Sequence, residues 1–208
     1  MEIGRWYTER LLPRCLDLAM RGAKFRELRP TCVGEARGRV LELGFGSGLN
    51  LPFYSAGVDE VVAVDPAVLG RRLARERIAT APFPVRFAGL DGDRLELEDS
   101  SFDSVVSTWT LCTVPSPSRT LAEIGRVLRA GGRFHFLEHG RAPDGAVARW
   151  QDRLNPIQAR LFGGCRLDRR IDELVRTAPI GEVRCETFYS GRPRALSHLF
   201  RGTAVKVS

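Results

Sequence analysis

Lysine is almost missing from this 208-residue chain. Only Lys24 and Lys206 interrupt a basic complement that is otherwise all arginine, within a net charge of +7. The arginines are spread along the chain rather than clustered. They fit an arginine-rich composition at least as well as an anionic partner. No basic stripe interleaved with aromatic residues occurs, which argues against nucleic acid as a partner. Cysteine is present but unpatterned. Cys15, Cys32, Cys112, Cys165 and Cys185 are odd in number and contain no CxxC pair. That spacing argues against a disulfide framework and against a structural zinc site, and no metal is expected. Reduced thiols in a cytoplasm are the expectation. The start of the chain lacks the apolar segment of a secretory signal, and no run approaches the ~18 apolar residues of a membrane span. Peripheral contact with a membrane stays open. There is also no internal repeat, no low-complexity tract and no evident serine triad.

The most informative stretch present is Val40-Leu41-Glu42-Leu43-Gly44-Phe45-Gly46-Ser47-Gly48-Leu49. It reads as a buried strand breaking into a glycine turn. Gly44, Gly46 and Gly48 permit backbone conformations closed to other residues and let a ligand come close. Asp65 follows about 20 residues on, at the end of a second apolar strand, where a carboxylate can hold ribose hydroxyls from the neighbouring strand. An adenosine-containing cofactor is implied. Leu49 stands where the dinucleotide fingerprint G-x-G-x-x-G would have its third glycine, which weakens the case for a nicotinamide-dependent oxidoreductase.

Strands and helices alternate along the chain. Strands are expected at 39–43, 60–64, 85–88, 104–107 and 133–138, with two more near 183–189 and 202–207. Helices are expected over 50–56, 66–79, 116–128 (ended by Gly131-Gly132), 145–162 and 169–177. Residues 5–22 show helical spacing interrupted by Pro13, giving two short helices or one kinked one. Residues 34–38 read as a loop. This alternation predicts a parallel α/β sheet with helices on both faces. Ligands of such sheets bind beyond the carboxyl ends of the strands, so the glycine turn, Asp65, Asp91, Thr108 and His139 should gather at one edge.

Each candidate also has a plainer structural reading. Asp65 before Pro66 could be a helix cap. Asp91-Gly92 could read an adenine edge or form a simple turn. Asp99 and Asp103 suit turns better than ligands. Residues 107–114 leave the fourth strand carrying Thr108, Trp109 and Cys112. They form either a wall for the cofactor's amino-acid end and the substrate, or ordinary apolar packing around an inert thiol. His139, next to Glu138 at the end of the fifth strand, could take a proton from a substrate or be structural. His135 and His198 read as structural, although His198 could line the pocket.

VLELGFGSG, VVAVDP, LDGDRLELEDSSFDSVV and EIGRVLRAGGRFHFLEH together resemble the class I S-adenosylmethionine-dependent methyltransferases, over about residues 38–140. A further likeness in GSGLNLPFY, STWTLCTVP, FLEHGR and RWQDRLNPIQARLFGGCRLDR is to bacterial relatives of the methyltransferase-like thiol S-methyltransferases. The resemblance implies a Rossmann-like seven-stranded, mostly parallel sheet with its last strand antiparallel. It implies one domain spanning 1–208: a helical cap at 1–37, a cofactor-binding core at 38–140, and insert helices with the last two strands at 141–208. S-adenosylmethionine would be held by Glu42, Gly44, Gly46, Gly48, Asn50, Leu51, Asp65, Pro66, Asp91, Gly92, Thr108 and Trp109. The acceptor pocket would be lined by Tyr7, Trp109, Cys112, His139 and His198, with His139 and Cys112 as the catalytic candidates.

Methyl transfer suits what the residues offer. The protein need only align a nucleophile, exclude water and manage one proton. A thiol fits best, because its thiolate forms near neutral pH and is strongly nucleophilic. A hydroxyl would need a stronger base than any visible here. The expected function is therefore methylation of a small thiol or sulfide. Quinone-type C-methylation and phospholipid N-methylation are the rivals within the class.

Overall fold

The computed structural model describes residues 7–89 and 95–207. Seven strands form one sheet: β1 (Gly38–Leu43), β2 (Val58–Val64), β3 (Val85–Phe87), β4 (Phe102–Thr108), β5 (Leu128–His139), β6 (Gly181–Tyr189) and β7 (His198–Lys206). Their order is β3-β2-β1-β4-β5-β7-β6. All neighbouring pairs are parallel except those of β7, which runs antiparallel to both β5 and β6. The doubly wound, mostly parallel sheet expected from the sequence is thus present. The chain reverses its winding between β1 and β4, which opens a crevice beyond their carboxyl ends.

The central strands are apolar on both faces, as a sheet covered on both sides requires. Leu41, Leu43, Val62, Val105, Phe134 and Phe136 point to one layer. There they meet Leu121 and Ile124 of α6 (Pro117–Val127) and Ile171 and Val175 of α8 (Ile171–Arg176). Val40, Val61, Ala63, Val106 and Leu137 point to the other layer, against Cys32 and Val33 of α3 (Pro30–Val33), Leu51 and Tyr54. Strand alternation puts Glu42 on this second side, in an otherwise apolar layer.

Several element boundaries differ from the sequence reading. Residues 50–56 form no helix beyond one 3-10 turn, Leu51–Phe53. Pro52 supplies no amide to an extended helix, and Tyr54 is extended, with its side chain turned inward to Glu42. The helix expected over 66–79 begins only at Val68 and splits at Ala74 into α4 (Val68–Leu73) and α5 (Arg75–Thr80). Helix α6 ends at Val127, before Gly131-Gly132. Leu128 is already extended and β5 starts there, with Gly131 at φ +76° inside it. The N-terminal region is two short helical segments, as expected: a π turn (Tyr7–Leu11) gives way to α1 (Leu12–Met20), where Pro13 sits in the first turn and needs no hydrogen-bond partner. The segment after α1 adds α2 (Ala23–Leu28) and α3, which fall within the expected helical cap at 1–37 but were not individually placed by the sequence reading. The long helix α7 (Gly145–Leu161) matches expectation closely.

Candidate active site

The glycine turn leaves β1 at Gly44, whose N–H donates to the Val64 carbonyl of β2 at 2.9 Å. Gly44 sits at φ +69°, and a Cβ there would lie 1.9 Å from Thr110 Oγ1. Alanine is excluded on both counts. A Cβ on Gly46 would meet only open space, its nearest neighbour being 3.9 Å away, so the turn offers a bare backbone to a ligand. Gly70 is an unforeseen member of the set. A Cβ there would come 2.5 Å from the Gly46 carbonyl, so α4 can pack on the turn only through a glycine.

Asp65, at the end of β2, is buried. Its Oδ2 accepts from the Gly46 N–H at 2.7 Å and its Oδ1 from the Ala67 N–H at 2.6 Å. Burial raises its pKa, and these two donors oppose the rise. The carboxylate therefore braces the glycine turn and also holds the amide of Ala67, the residue before α4. Two accepted bonds leave lone pairs for further donors such as hydroxyls. Pro66 is exposed beside it.

Glu42 is the centre of a second network. Its Oε1 accepts from Asn50 Nδ2 and its Oε2 from the Tyr54 hydroxyl, each at 2.8 Å. Asn50 Nδ2 also donates to Thr108 Oγ1 at 3.0 Å. Asn50 Oδ1 in turn accepts from Arg29 Nη1 at 2.6 Å. Burial lifts the Glu42 pKa to about 7 against the pull of Tyr54, Asn50 and Arg29. Burial likewise lowers Arg29 to about 10, although Glu42 opposes it. Leu51 packs beneath this network in the core.

Arg29 is the residue that the sequence reading missed, since nothing in its local pattern marks it. Its guanidinium lies 5.0 Å from the Trp109 ring, and Phe25 meets the same ring edge-on at 5.3 Å. Trp109 holds φ +53°, a conformation that costs roughly 1–3 kcal/mol in a residue of this bulk. Arg29 Nε and Trp109 Nε1 are buried with no hydrogen-bond partner among the described residues. Two unsatisfied donors beside a buried carboxylate match the two charged ends of an amino acid.

A further cluster lies at the ends of β4 and β5, where the sequence reading expected the acceptor. Glu138 is fully buried and spent on structure. It accepts from Ser107 Oγ at 2.7 Å, the Thr110 N–H at 3.0 Å and the Cys112 N–H at 3.1 Å. These bonds shape the 108–113 turn and offset the burial that raises its pKa. Cys112 is buried, with its Sγ 3.6 Å from Cys165 Sγ, and Cys165 Sγ lies 3.8 Å from His139 Nδ1. Cys165 is a second residue that the sequence reading missed. The Cys112–Cys165 contact lowers the Cys165 thiol, against its burial, while the same contact and burial push Cys112 up.

Two pocket candidates sit elsewhere. The His198 ring is packed between Tyr189 and Phe200, with Nδ1 3.2 Å from the Gly140 carbonyl. It is buried structure behind the site. The Tyr7 hydroxyl donates to the Leu161 carbonyl at 2.7 Å, fastening the N-terminal turn to the end of α7. Asp91 and Gly92 lie outside the described residues. His135 is also structural in setting, buried in β5 with its pKa lowered to about 4 by burial. It opens onto a cavity of about 530 Å³ on the β5-β7-β6 face, away from the strand ends.

The N-terminal helix closes over the glycine turn. Ser47 Oγ donates to Asp17 Oδ1 at 2.6 Å, and Arg77 Nη1 donates to the Ser47 carbonyl at 2.7 Å. Arg77 also lies 3.4 Å from Asp17, which completes a triangle between α1, the turn and α5.

Comparison with known proteins agrees with this geometry. Residues 41–136 match the family model described as a methyltransferase domain. Thiol S-methyltransferase TMT1B of Homo sapiens is 33% identical over 174 residues, covering 78% of this chain and 68% of that protein. The chain belongs to the S-adenosylmethionine-dependent methyltransferases. Phosphatidylethanolamine N-methyltransferase of Cereibacter sphaeroides is 36% identical over 125 residues, covering 56% of this chain and 58% of that protein. Among solved structures, Haemonchus contortus phospholethanolamine N-methyltransferase 2, in complex with phosphomonomethylethanolamine and S-adenosylhomocysteine, shares the fold with a TM-score of 0.75. It is 14% identical, and the match covers 99% of this chain and 61% of that one. The chain spans about 62% of the rat counterpart of the human relative.

The residues present fit S-adenosylmethionine, the cofactor of this family. The bare Gly46 backbone, the buried acceptor at Asp65 and the orphaned donors of Arg29 and Trp109 beside Glu42 suit its ribose and its amino-acid end.

Proposed function

We propose that this methyltransferase acts on the sulfur of a small thiol or sulfide. One observation carries the reading: the acceptor side is lined by Cys112, Cys165 and His139, while its carboxylate, Glu138, is spent on backbone amides and Ser107. Such a site offers a soft, weakly basic surround. It suits an acceptor whose proton is acidic enough to leave near neutrality. The thiol S-methyltransferase relative supports the same reading.

Bound S-adenosylmethionine supplies an electrophilic methyl group on a sulfonium. The chain's own residues do the rest. Asp65 would accept from ribose hydroxyls. Glu42 would hold the ammonium group, and Arg29 and Trp109 would hold the carboxylate of the amino-acid end. Trp109, held at its strained φ by the Trp109 N–H to Leu137 carbonyl bond of 2.8 Å, walls the transfer path. His139 takes the acceptor's proton. Helix α1, latched by Asp17 to Ser47, excludes water from the turn.

The test is a labelled-methyl assay across alkyl thiols, sulfide, quinols and phosphatidylethanolamine. Methylation of thiols is expected. Methylation of quinols or phospholipid with silence on every thiol refutes the reading. The phospholipid alternative draws on the N-methyltransferase relative and on a surface feature. Trp150, Ile157 and Leu161 of α7, with Phe162 after it, are exposed among Arg149, Arg153 and Arg160. Among the described residues no helix is long and apolar enough to cross a membrane. We place a peripheral contact with anionic lipid on this face of α7. The five unpaired cysteines favour a reducing compartment such as a cytoplasm.

A further inference from the structure

The three soft ligands on the acceptor side come from distant parts of the chain. Cys112 follows β4, His139 ends β5, and Cys165 lies in the turn after α7. Their ligand atoms all lie within 4.8 Å of one another. We propose that Cys112, Cys165 and His139 form a three-ligand site for a divalent cation of the zinc class, whose open fourth position takes the sulfur of the acceptor thiol. The fourth-ligand part rests on the thiol reading above, whereas the ligand trio does not.

The geometry can be checked against a tetrahedral ion. Zinc–sulfur bonds of about 2.3 Å and zinc–nitrogen bonds of about 2.0 Å place sulfur–sulfur edges near 3.8 Å and sulfur–nitrogen edges near 3.5 Å. The Cys112–Cys165 edge is 3.6 Å and the Cys165–His139 Nδ1 edge is 3.8 Å. The Cys165–His139 edge has to close by about 0.3 Å and the Cys112–His139 edge by at most about 1.3 Å on that same geometry.

The trio is held in place by bonds that need no ion. The Arg166 N–H, next to Cys165, donates to the Cys112 carbonyl at 2.8 Å. The Cys112 N–H donates to Glu138, the neighbour of His139. Arg169 donates to the Leu111 and Val114 carbonyls on either side of Cys112. The Leu167 N–H donates to Asn155 Oδ1 at 2.8 Å, fixing the Cys165 turn to α7. Ligands locked by surrounding hydrogen bonds are what a preformed metal site requires.

Charge and access also agree. Two thiolates and a neutral imidazole balance a doubly charged ion, so its burial leaves no uncompensated charge. Cys112 and Cys165 are buried and His139 is half-buried, so the open position lies on the His139 side. Three protein ligands with one vacant position is the pattern of a working rather than a purely structural zinc site. On ion binding the S–H bonds of Cys112 and Cys165 break, two metal–sulfur bonds form and two protons pass to solvent. An arriving thiol then loses its own proton to water as its sulfur bonds the ion, and with the ion bound His139 serves as a ligand in place of the proton-accepting role given to it above. No oxidant or reductant is involved.

The test is cobalt(II) added to the reduced, chelator-treated full chain. One equivalent should bind, with thiolate-to-cobalt charge-transfer absorption and tetrahedral-field bands, and zinc should displace it. Cys165→Ser should remove about half the charge-transfer intensity, one of two thiolates, while His139→Asn keeps the intensity but weakens binding by at least about tenfold. S-adenosylhomocysteine titration reports whether each variant is folded. A small alkyl thiol should add charge-transfer intensity to the wild-type cobalt complex. Absence of thiolate bands in the reduced wild type, or bands untouched by Cys165→Ser, overturns the site. A thiol that leaves the cobalt spectrum unchanged overturns the fourth-ligand assignment. A protein that methylates thiols equally well after chelation refutes the ion's role and keeps the thiol reading. One that binds cobalt through these thiolates yet methylates no thiol keeps the ion site and refutes that reading.

Discussion

Glu42→Gln should separate two roles of one buried carboxylate, with opposite signs. Glu42 is 1% exposed, and burial lifts its pKa from 4.5 to about 7. At ~1.4 kcal/mol per pH unit, that is roughly 3 kcal/mol in favour of the protonated form. The folded chain keeps a proton that the unfolded chain has lost between pH 4.5 and about 7. Stability from this residue is therefore full below the window, falls as pH rises through it and is flat above. Glutamine cannot ionise. Its amide oxygen can accept from Asn50, and the Tyr54 hydroxyl can turn to accept from the amide nitrogen. The variant should match the wild type near pH 5 and exceed it by ~1–3 kcal/mol at pH 8 in urea unfolding.

On the proposed reading, the same substitution removes the anion that would hold the cofactor's ammonium group. S-adenosylhomocysteine should bind about 10–100-fold more weakly, the worth of a charged hydrogen bond of ~1.5–3 kcal/mol. Wild-type binding near pH 6.5 should release protons, because an ammonium group beside Glu42 pulls its pKa down. Titration calorimetry in two buffers of different ionisation heat counts those protons. A variant less stable than wild type at pH 8 refutes the energetic argument. Unweakened binding with no proton release refutes the placement of the ammonium group.

Asp65→Ala should weaken S-adenosylhomocysteine by at least about tenfold in calorimetry, since it deletes both a ribose acceptor and the brace on the Gly46 amide. Undiminished affinity would leave Asp65 as a brace alone. Gly44→Ala should cost at least ~2 kcal/mol in urea unfolding, from the left-handed φ and the collision with Thr110. Gly46→Ala, with open space at its Cβ, should cost only ~1 kcal/mol of stability yet impair cofactor binding more than its stability loss explains. Trp150→Ala with Ile157→Ala should reduce co-flotation with anionic vesicles several-fold and leave S-adenosylhomocysteine affinity unchanged; equal flotation of variant and wild type refutes the contact on α7.

The glycine turn and the carboxylate that braces it were legible because their signals are local. Gly44, Gly46 and Gly48 are required by turn geometry within five residues, and Asp65 is placed by the length of one βαβ step. Boundary errors arose where tertiary partners overrode local pattern. Residues 50–56 look helical until Asn50 and Tyr54 are recruited by Glu42, and 128–132 look like a helix end until β4 pairs with Leu128. Arg29 was hidden for the opposite reason. It sits at the bend between α2 and α3, in neither helix, and only the packing of those two helices carries it to Trp109 and Asn50.

The acceptor side shows how far this limit reaches. Cysteine arithmetic looks for ligand pairs a few residues apart, because short spacing builds a site without help from the fold. Cys112 and Cys165 are 53 positions apart and His139 lies between them. Scattered cysteines were therefore read as giving no metal site, with Cys112 alone kept as a catalytic candidate, yet a parallel sheet delivers every strand end to the same edge. In such a fold, residues just past the strands are neighbours whatever their spacing. The turn after α7 returns to that edge through the Arg166 to Cys112 backbone bond. The informative variable for this fold is position relative to strand ends rather than separation in sequence. By that measure Cys112 and His139 were identifiable as partners, and Cys165 required the one contact that no strand predicts.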